Sequence, residues 1–127
     1  MLRLTLFQNL LIRGSSETAP GASFQLADDP DLRRLLWYLL GGTRGGENRA
    51  KIIQALRARP SNLNQLANGL GMQYRLVQHH VEVLKRNSLV TAAGEHYGMT
   101  YFLHPWLESH MDVFEDVAKR LRLIDQQ

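Results

Sequence analysis

The spacing of apolar residues predicts a chain of helices that is interrupted once by strands. Apolar positions recur at the helical period in five stretches: residues 30–40, 46–58, 61–71, 73–87 and 105–123. After Asn87 the period falls to two in "LVTAA" and "MTYFL", and the turn "GEHYG" lies between them. The pattern predicts a mainly α-helical fold with one small β-hairpin at about residues 89–103.

Local signals mark the ends of the first and third helices. Asp29 is suited to cap the first helix, and the glycine pair 41–42 is suited to end it. The third helix begins at Ser61 or Asn62. Asn62 with Gln65 three residues later has the spacing of a capping box.

The middle of the chain has the order of a helix–turn–helix. Ala67 is small enough for two helices to cross closely, and Gly71 can adopt the positive φ of a tight turn. A helix before this turn, a longer helix after it and then a hairpin give the order of a winged helix–turn–helix. We therefore expect a winged domain with flanking dimerisation helices over residues 31–127, preceded by an arm and linker over residues 1–30.

The helix at about 73–87 separates its apolar side from its polar side. At ~100° per residue, Val77, Val81 and Leu84 mark the buried side. The outward residues predicted to contact DNA are Gln73, Tyr74, Arg75, Gln78, His79, Glu82 and Arg86. Arginine and glutamine read guanine and adenine edges in the major groove, so this helix has the side chains of a recognition helix.

The tip of the hairpin holds His96 and Tyr97. The tips of such wings commonly carry basic residues that reach the minor groove. We expect His96 and Tyr97 to touch sugar or phosphate instead, and a solvent-exposed turn without a partner is the alternative.

Charge is distributed unevenly along the chain. The formal net charge is +3, but residues 44–86 hold eight basic residues against two acidic ones, and residues 105–127 hold three against five. A basic middle suits a polyanion such as nucleic acid. A solvated face without a partner is the alternative.

Composition excludes several classes of protein. The chain has no cysteine, which excludes disulfides, thiolate metal sites and cysteine nucleophiles. No apolar run approaches the ~18–20 residues of a membrane span. We expect a cytoplasmic protein with no membrane partner.

The first and last helices are more apolar than a domain of this size is expected to bury alone. We therefore expect them to form a homodimer interface. Its predicted residues are Leu36, Trp37, Leu40, Trp106, Met111, Phe114 and Leu121.

Residues 41–90 resemble the ArsR-type winged-helix transcriptional regulators, especially their archaeal branch. The lead "GGTRG", the helix "NQLA" and the ending "HHVEVLKRNSLV" carry the resemblance. It implies a homodimer on duplex DNA, with the third helix of the core in the major groove, the hairpin near the minor groove and the flanking helices in the dimer interface. Gln73 stands where the family often has Ser, Asp or Thr, and it is a poorer helix cap.

Metal binding and catalysis have little support in the sequence. His79 and His80 diverge by ~100° on a helix and do not easily chelate one ion, so we expect His80 to be partly buried and hydrogen-bonded. Glu108 and His110 give half of the metal motif that some ArsR-type repressors have, but residues 119–125 lack the second histidine. We expect no metal, no cofactor and no enzymatic activity.

These features favour a homodimeric transcriptional regulator that binds double-stranded DNA in a sequence-specific manner. The alternative is a winged-helix module that binds other proteins in a larger complex. That alternative would be favoured if the rest of the chain covered the outward face of residues 73–86. The sequence does not specify an effector.

Overall fold

The computed structural model describes residues 28–95 and 98–124. The helices are α1 (Pro30–Leu36), which continues into a π-helical segment (Trp37–Gly41), α2 (Gly46–Ala58), α3 (Leu63–Leu70), α4 (Tyr74–Arg86), α5 (Pro105–Glu108) and α6 (Met111–Arg120). The strands β1 (Val90–Ala93) and β2 (Thr100–Leu103) pair between α4 and α5. The predicted fold class, mainly α-helical with one hairpin, is confirmed. Residues 1–27, nearly all of the predicted arm and linker, lie outside the described residues.

The core lies around α2, which packs against α3, α4 and β2, while α1 packs against α6. Entirely buried side chains include Leu32, Leu36, Ile52, Ile53, Val77, Val81, Leu84, Leu107 and Val117. Each of the helices α1 to α6 buries an apolar side in this core. Val77, Val81 and Leu84 are among the buried residues, so the predicted buried side of the fourth helix is confirmed.

The turn between α3 and α4 has the geometry that its sequence predicts. Asn62 accepts a hydrogen bond from the Gln65 N–H, and the Gln65 side chain accepts one from the Asn62 N–H, each at 2.8 Å. Gly71 ends α3 at φ 66°, in the left-handed region that favours glycine. Ala67 is buried where the two helices meet. The capping box and the glycine turn are therefore both confirmed.

The hairpin is anchored to the helical core along one edge. β1 and β2 pair antiparallel, with Val90 opposite Leu103 and Ala93 opposite Thr100. On the other edge of β2, Ser61 exchanges two backbone hydrogen bonds with Tyr101, at 3.2 and 2.9 Å. The residue that precedes the capping box thus fixes the hairpin against the start of α3.

The first helix ends in a wider turn than a regular α-helix has. The Gly42 N–H donates to the Trp37 carbonyl at 3.0 Å, five residues back, as well as to the Tyr38 carbonyl. The Leu39 carbonyl accepts a hydrogen bond from the Arg49 side chain at 3.0 Å. The helix predicted at 30–40 is therefore present, and its last turn is π-helical.

The predicted single helix over 105–123 is wrong. It is interrupted after Glu108, and α6 begins at Met111. Two polar side chains occupy carbonyls of the first turn: the Ser109 hydroxyl donates to the Pro105 carbonyl at 2.8 Å, and His110 Nδ1 lies 2.9 Å from the Trp106 carbonyl. Side chains that bond to nearby backbone groups in this way compete with helix continuation.

We expect Asn62→Ala to lower the free energy of unfolding by about 0.5–2 kcal/mol, because it removes the cap of α3. Urea unfolding followed by circular dichroism measures the change. Asn64→Ala, an exposed substitution in the same helix, is the matched control and should change stability by less than about 0.5 kcal/mol. Equal losses in both variants would show that the capping box contributes nothing.

Candidate nucleic-acid interface

The outward face of α4 is open to solvent in the described part of the chain. Six of the seven residues predicted to contact DNA on this helix are exposed: Gln73, Tyr74, Arg75, Gln78, His79 and Arg86. Within residues 28–95 and 98–124, no carboxylate forms a salt bridge with Arg75, Lys85 or Arg86. The face therefore presents cationic and amide donors to solvent.

Gln73 begins α4 through its backbone alone. Its carbonyl accepts the N–H groups of Leu76 and Val77 at 3.1 Å each, while its side chain makes no capping hydrogen bond. The amide side chain of Gln73 is consequently not used in closing the helix, and it stays exposed at the start of the outward face.

Glu82 differs from the other predicted contact residues of α4 because the chain partly covers it. Its side chain is half-buried, and its charge acts on Tyr101 of β2. Burial raises the pKa of the Tyr101 hydroxyl, and the negative charge of Glu82 raises it further. Glu82 is the one predicted contact residue of this helix that is not exposed.

The predicted wing contacts His96 and Tyr97 lie outside the described residues. Around them the chain turns at Gly94, which has φ 113°, and the Gly98 N–H donates to the Glu95 carbonyl at 2.8 Å. The flanking strands match the predicted wing at about 89–103.

A buried arginine connects α4 to the end of the first helix. Arg49 of α2 is 3% exposed, and its guanidinium donates to the carbonyls of Leu39 and Arg44 at 3.0 and 2.8 Å and to the Thr43 hydroxyl. Its remaining contact is with His80 Nδ1, 3.1 Å from Nη1. Every partner of this buried cation is thus a neutral acceptor.

The arginine determines the protonation state of His80. A guanidinium has no acceptor, so His80 Nδ1 must accept the hydrogen bond and its proton is carried on Nε2. Burial lowers the pKa of His80, and the positive charge of Arg49 lowers it further. The prediction of a buried, hydrogen-bonded His80 is confirmed, since its side chain is 4% exposed.

Four of the seven predicted dimerisation residues are core residues of the chain itself. Leu36 is 0% exposed, and the others are Leu40, Met111 and Phe114, all of them buried. The expectation that they exceed what the domain buries alone is incorrect, because α1 and α6 cover one another. These four side chains offer no apolar surface to a partner.

The other three predicted dimerisation residues reach the surface to different degrees. Trp37 is 38% exposed on the π-helical segment, beside Tyr38 at 61%. Leu121 is half-buried and lies beside Gly41. Trp106 is half-buried, and its indole N–H donates to the Asp29 carboxylate at 2.7 Å, which fastens α5 to the start of α1.

A charged cluster strengthens the contact between α1 and α6. Arg33 donates to Asp116 at 2.6 Å and also pairs with Asp28 at 3.1 Å. The Arg33 guanidinium is the main cause that lowers the pKa of Asp116, and Arg120 adds to it. The acidic C-terminal part of the chain is thus partly neutralised by α1.

The fold is similar to three solved structures of bacterial proteins. Rv0081 of M. tuberculosis has a TM-score of 0.54 and 20% identity, over 74% of this chain and 94% of that one. Reduced HlyU of Vibrio cholerae has a TM-score of 0.53 and 16% identity, over 73% and 92%. Mb0332 of Mycobacterium bovis has a TM-score of 0.50 and 18% identity, over 81% and 98%; it is described as a homodimeric winged helix–turn–helix DNA-binding domain and a possible ArsR-family transcriptional regulator.

The fold is a winged helix–turn–helix. In this winged domain α2, α3 and α4 form the three-helix core, α4 is in the position of the recognition helix, and the β1–β2 hairpin is the wing. No protein-family model and no curated protein matches the sequence. The similar structures come from bacteria and give no support to the archaeal branch.

The described residues contain neither a candidate metal cluster nor a helix that could span a membrane. Within the described ranges, no three His, Asp or Glu side chains come together in a group that could hold a metal ion. In the same part of the chain, no helix has both the length and the apolar character of a membrane span.

Sequence reasoning missed the role of Arg49 and the exposure of Leu76. Arg49 counted as part of the basic middle, but it is buried and offers no exposed guanidinium for contact with a polyanion. The sequence signal for its burial was its position on α2, between Ala50 and the glycines at 45–46. Leu76 is an apolar residue that was not predicted on the outward side of its helix, and it is 38% exposed.

The stability of the winged domain should fall as the pH drops below about 6.5. Burial lowers the pKa values of His80 and His104, and both accept a hydrogen bond at Nδ1. Below pH 6.5, His80 and His104 take up protons in the unfolded chain but stay neutral in the folded protein. Each adds a slope of at most about 1.4 kcal/mol per pH unit, until the pH reaches its folded pKa.

Urea unfolding at pH 7.5, 6.5 and 5.5 measures this slope. His80→Gln keeps an acceptor for Arg49 but takes up no proton, so it should reduce the pH dependence. Gln78→Ala, an exposed substitution in the same helix, leaves both buried histidines in place and should keep the slope of the wild type. A wild-type unfolding free energy that is constant over this range would contradict the expectation.

Proposed function

We propose that the protein is a homodimeric transcriptional regulator of the ArsR type that binds specific duplex DNA in the cytoplasm without enzymatic activity. The observation that carries the proposal is the open outward face of α4, where Arg75, Gln78 and His79 stand exposed on the recognition helix of a winged domain. Mb0332, which shares this fold, is described as a DNA-binding homodimer.

The geometry of α4 suits the major groove. The groove is about 12 Å wide and admits one α-helix, whose first turns reach the base edges. Arg75 lies in the first turn and Gln78 and His79 in the second, so these side chains are placed for base contacts. Lys85 and Arg86 lie in the last turn, where they would neutralise phosphates.

The wing adjoins α4 in the fold. β1 follows α4 in the chain and packs against it, so the hairpin lies next to the helix that we assign to DNA. We propose that the wing lies near the minor groove, with His96 and Tyr97 against sugar and phosphate.

The alternative, a module that binds other proteins, would be favoured if the rest of the chain covered the outward face of α4. Within residues 28–95 and 98–124, this face is exposed instead. The exposed face favours DNA as the partner.

Arg75→Ala and Gln78→Ala should each weaken binding to the selected operator by ~1–3 kcal/mol and binding to random duplex by much less. The operator comes from selection of bound fragments of sheared genomic DNA at 150 mM salt. Fluorescence anisotropy at the same salt then gives both affinities.

Arg34→Ala and Gln54→Ala are the matched controls, since they remove the same residue types from exposed positions of α1 and α2. Both should bind the operator as the wild type does. Equal losses of Arg75→Ala on the operator and on random DNA would show that this side chain contacts only phosphate.

We propose that the dimer forms through the surface around the π-helical segment. Trp37 and Tyr38 are exposed there, and Leu121 at the end of α6 lies beside Gly41. Exposed tryptophan and tyrosine are the side chains that most often dominate the binding energy of an interface.

Sedimentation at tens of micromolar should therefore give a dimer, and Trp37→Ala should weaken dimerisation about tenfold or more. Tyr74→Ala removes an aromatic side chain of similar exposure from α4 and should leave the dimer intact. A wild-type monomer at this concentration, or a dimer that Trp37→Ala does not affect, contradicts this interface.

A further inference from the structure

Leu76 is an apolar side chain on the face that we assign to DNA. Four large hydrophobic side chains in the described residues are well exposed: Trp37, Tyr38, Tyr74 and Leu76. The first two belong to the proposed dimer surface. Leu76, which is 38% exposed, lies instead in the first turn of α4.

The neighbours of Leu76 distinguish it from an ordinary exposed leucine. Single exposed leucines are common on protein surfaces and need no explanation. Leu76, however, directly follows Arg75 and lies one helical turn before His79, both of them exposed. Its N–H donates to the Gln73 carbonyl at 3.1 Å, which places it in the turn from which a recognition helix reaches base edges.

A leucine side chain can make favourable contacts with few of the groups in the major groove. It neither donates nor accepts a hydrogen bond and does not neutralise a phosphate. The apolar group that the base edges present in the major groove is the C5 methyl of thymine. An exposed leucine at the edge of a face that holds Arg75 and His79 is therefore matched to that methyl group.

Tyr74 is the other candidate for an apolar contact, and its position separates it from Leu76. Tyr74 is the first residue of α4, and Leu76 is two residues further on, about 200° around the helix. The two side chains therefore leave the helix in nearly opposite directions and do not reach the same base position.

We propose that Leu76 reads a thymine methyl group in each half-site of the operator and thereby determines the base at one position. The inference rests on the proposed function, because it names a base that the same surface recognises.

Replacement of single thymines by deoxyuridine tests the inference, because it removes only the methyl group and keeps base pairing. The probe is the operator selected at 150 mM salt, with each symmetry-related pair of thymines replaced in turn. For the wild type, one replacement should weaken binding about fourfold per half-site, which corresponds to the burial of one methyl-sized group.

Variants of Leu76 assign the effect to this side chain. Leu76→Ala should bind the thymine and uracil forms of that operator equally, and Leu76→Met should retain the preference for thymine. Tyr74→Ala is the matched control and should also retain it. Unfolding in urea verifies that each variant is folded, which is expected because Leu76 is exposed.

The outcomes separate this inference from the proposed function. An operator that binds with the same affinity after every uracil replacement overturns the role of Leu76 and leaves the proposed function intact. A preference that persists in Leu76→Ala, or that disappears in Tyr74→Ala, overturns the assignment to Leu76. Failure of the selection to yield any operator overturns the proposed function and the inference with it.

Discussion

The position of the recognition helix depends on one buried cation, the guanidinium of Arg49. A charge in the protein interior is costly unless polar groups surround it, and here carbonyls and a hydroxyl from residues 39–44 supply most of them. The last acceptor is a ring nitrogen of His80, which must be neutral to serve. The cluster also explains Gly45, since a Cβ at that position would lie 2.4 Å from the His80 ring. The loop, α2 and α4 are thereby fixed to one another.

This cluster also joins the two surfaces that we assign to partners. The π-helical segment carries the exposed Trp37 and Tyr38, and the Leu39 carbonyl of the same segment is held by Arg49. On its other side the guanidinium holds His80, whose neighbour His79 faces the proposed DNA surface. Arg49 therefore connects the π-helical segment to α4 through direct hydrogen bonds from one guanidinium.

Features that depend on neighbouring residues could be predicted from the sequence, whereas features that depend on distant packing could not. Gly71 and the box of Asn62 and Gln65 are local, because each needs only its own turn, and they predicted where α3 begins and ends. The apolar spacing of α4 is local in the same way, and it predicted the outward face of that helix. Apolar spacing showed that Phe114 lies on an inward side, but not that α1 of the same chain would cover it. The break at Ser109 and His110 was hidden, because both residues are compatible with a helix until their side chains compete for its carbonyls.

The pairing of Ser61 with Tyr101 has a consequence for solubility. A two-stranded ribbon has two open edges, and each is a template on which a strand of another molecule can add. Here the edge of β2 is occupied at its centre by the chain's own backbone. Among the described residues, the outer edge of β1 is left open, and it is four residues long. An edge this short can form few hydrogen bonds with a strand of another molecule. The wing can therefore project from the domain without promoting aggregation.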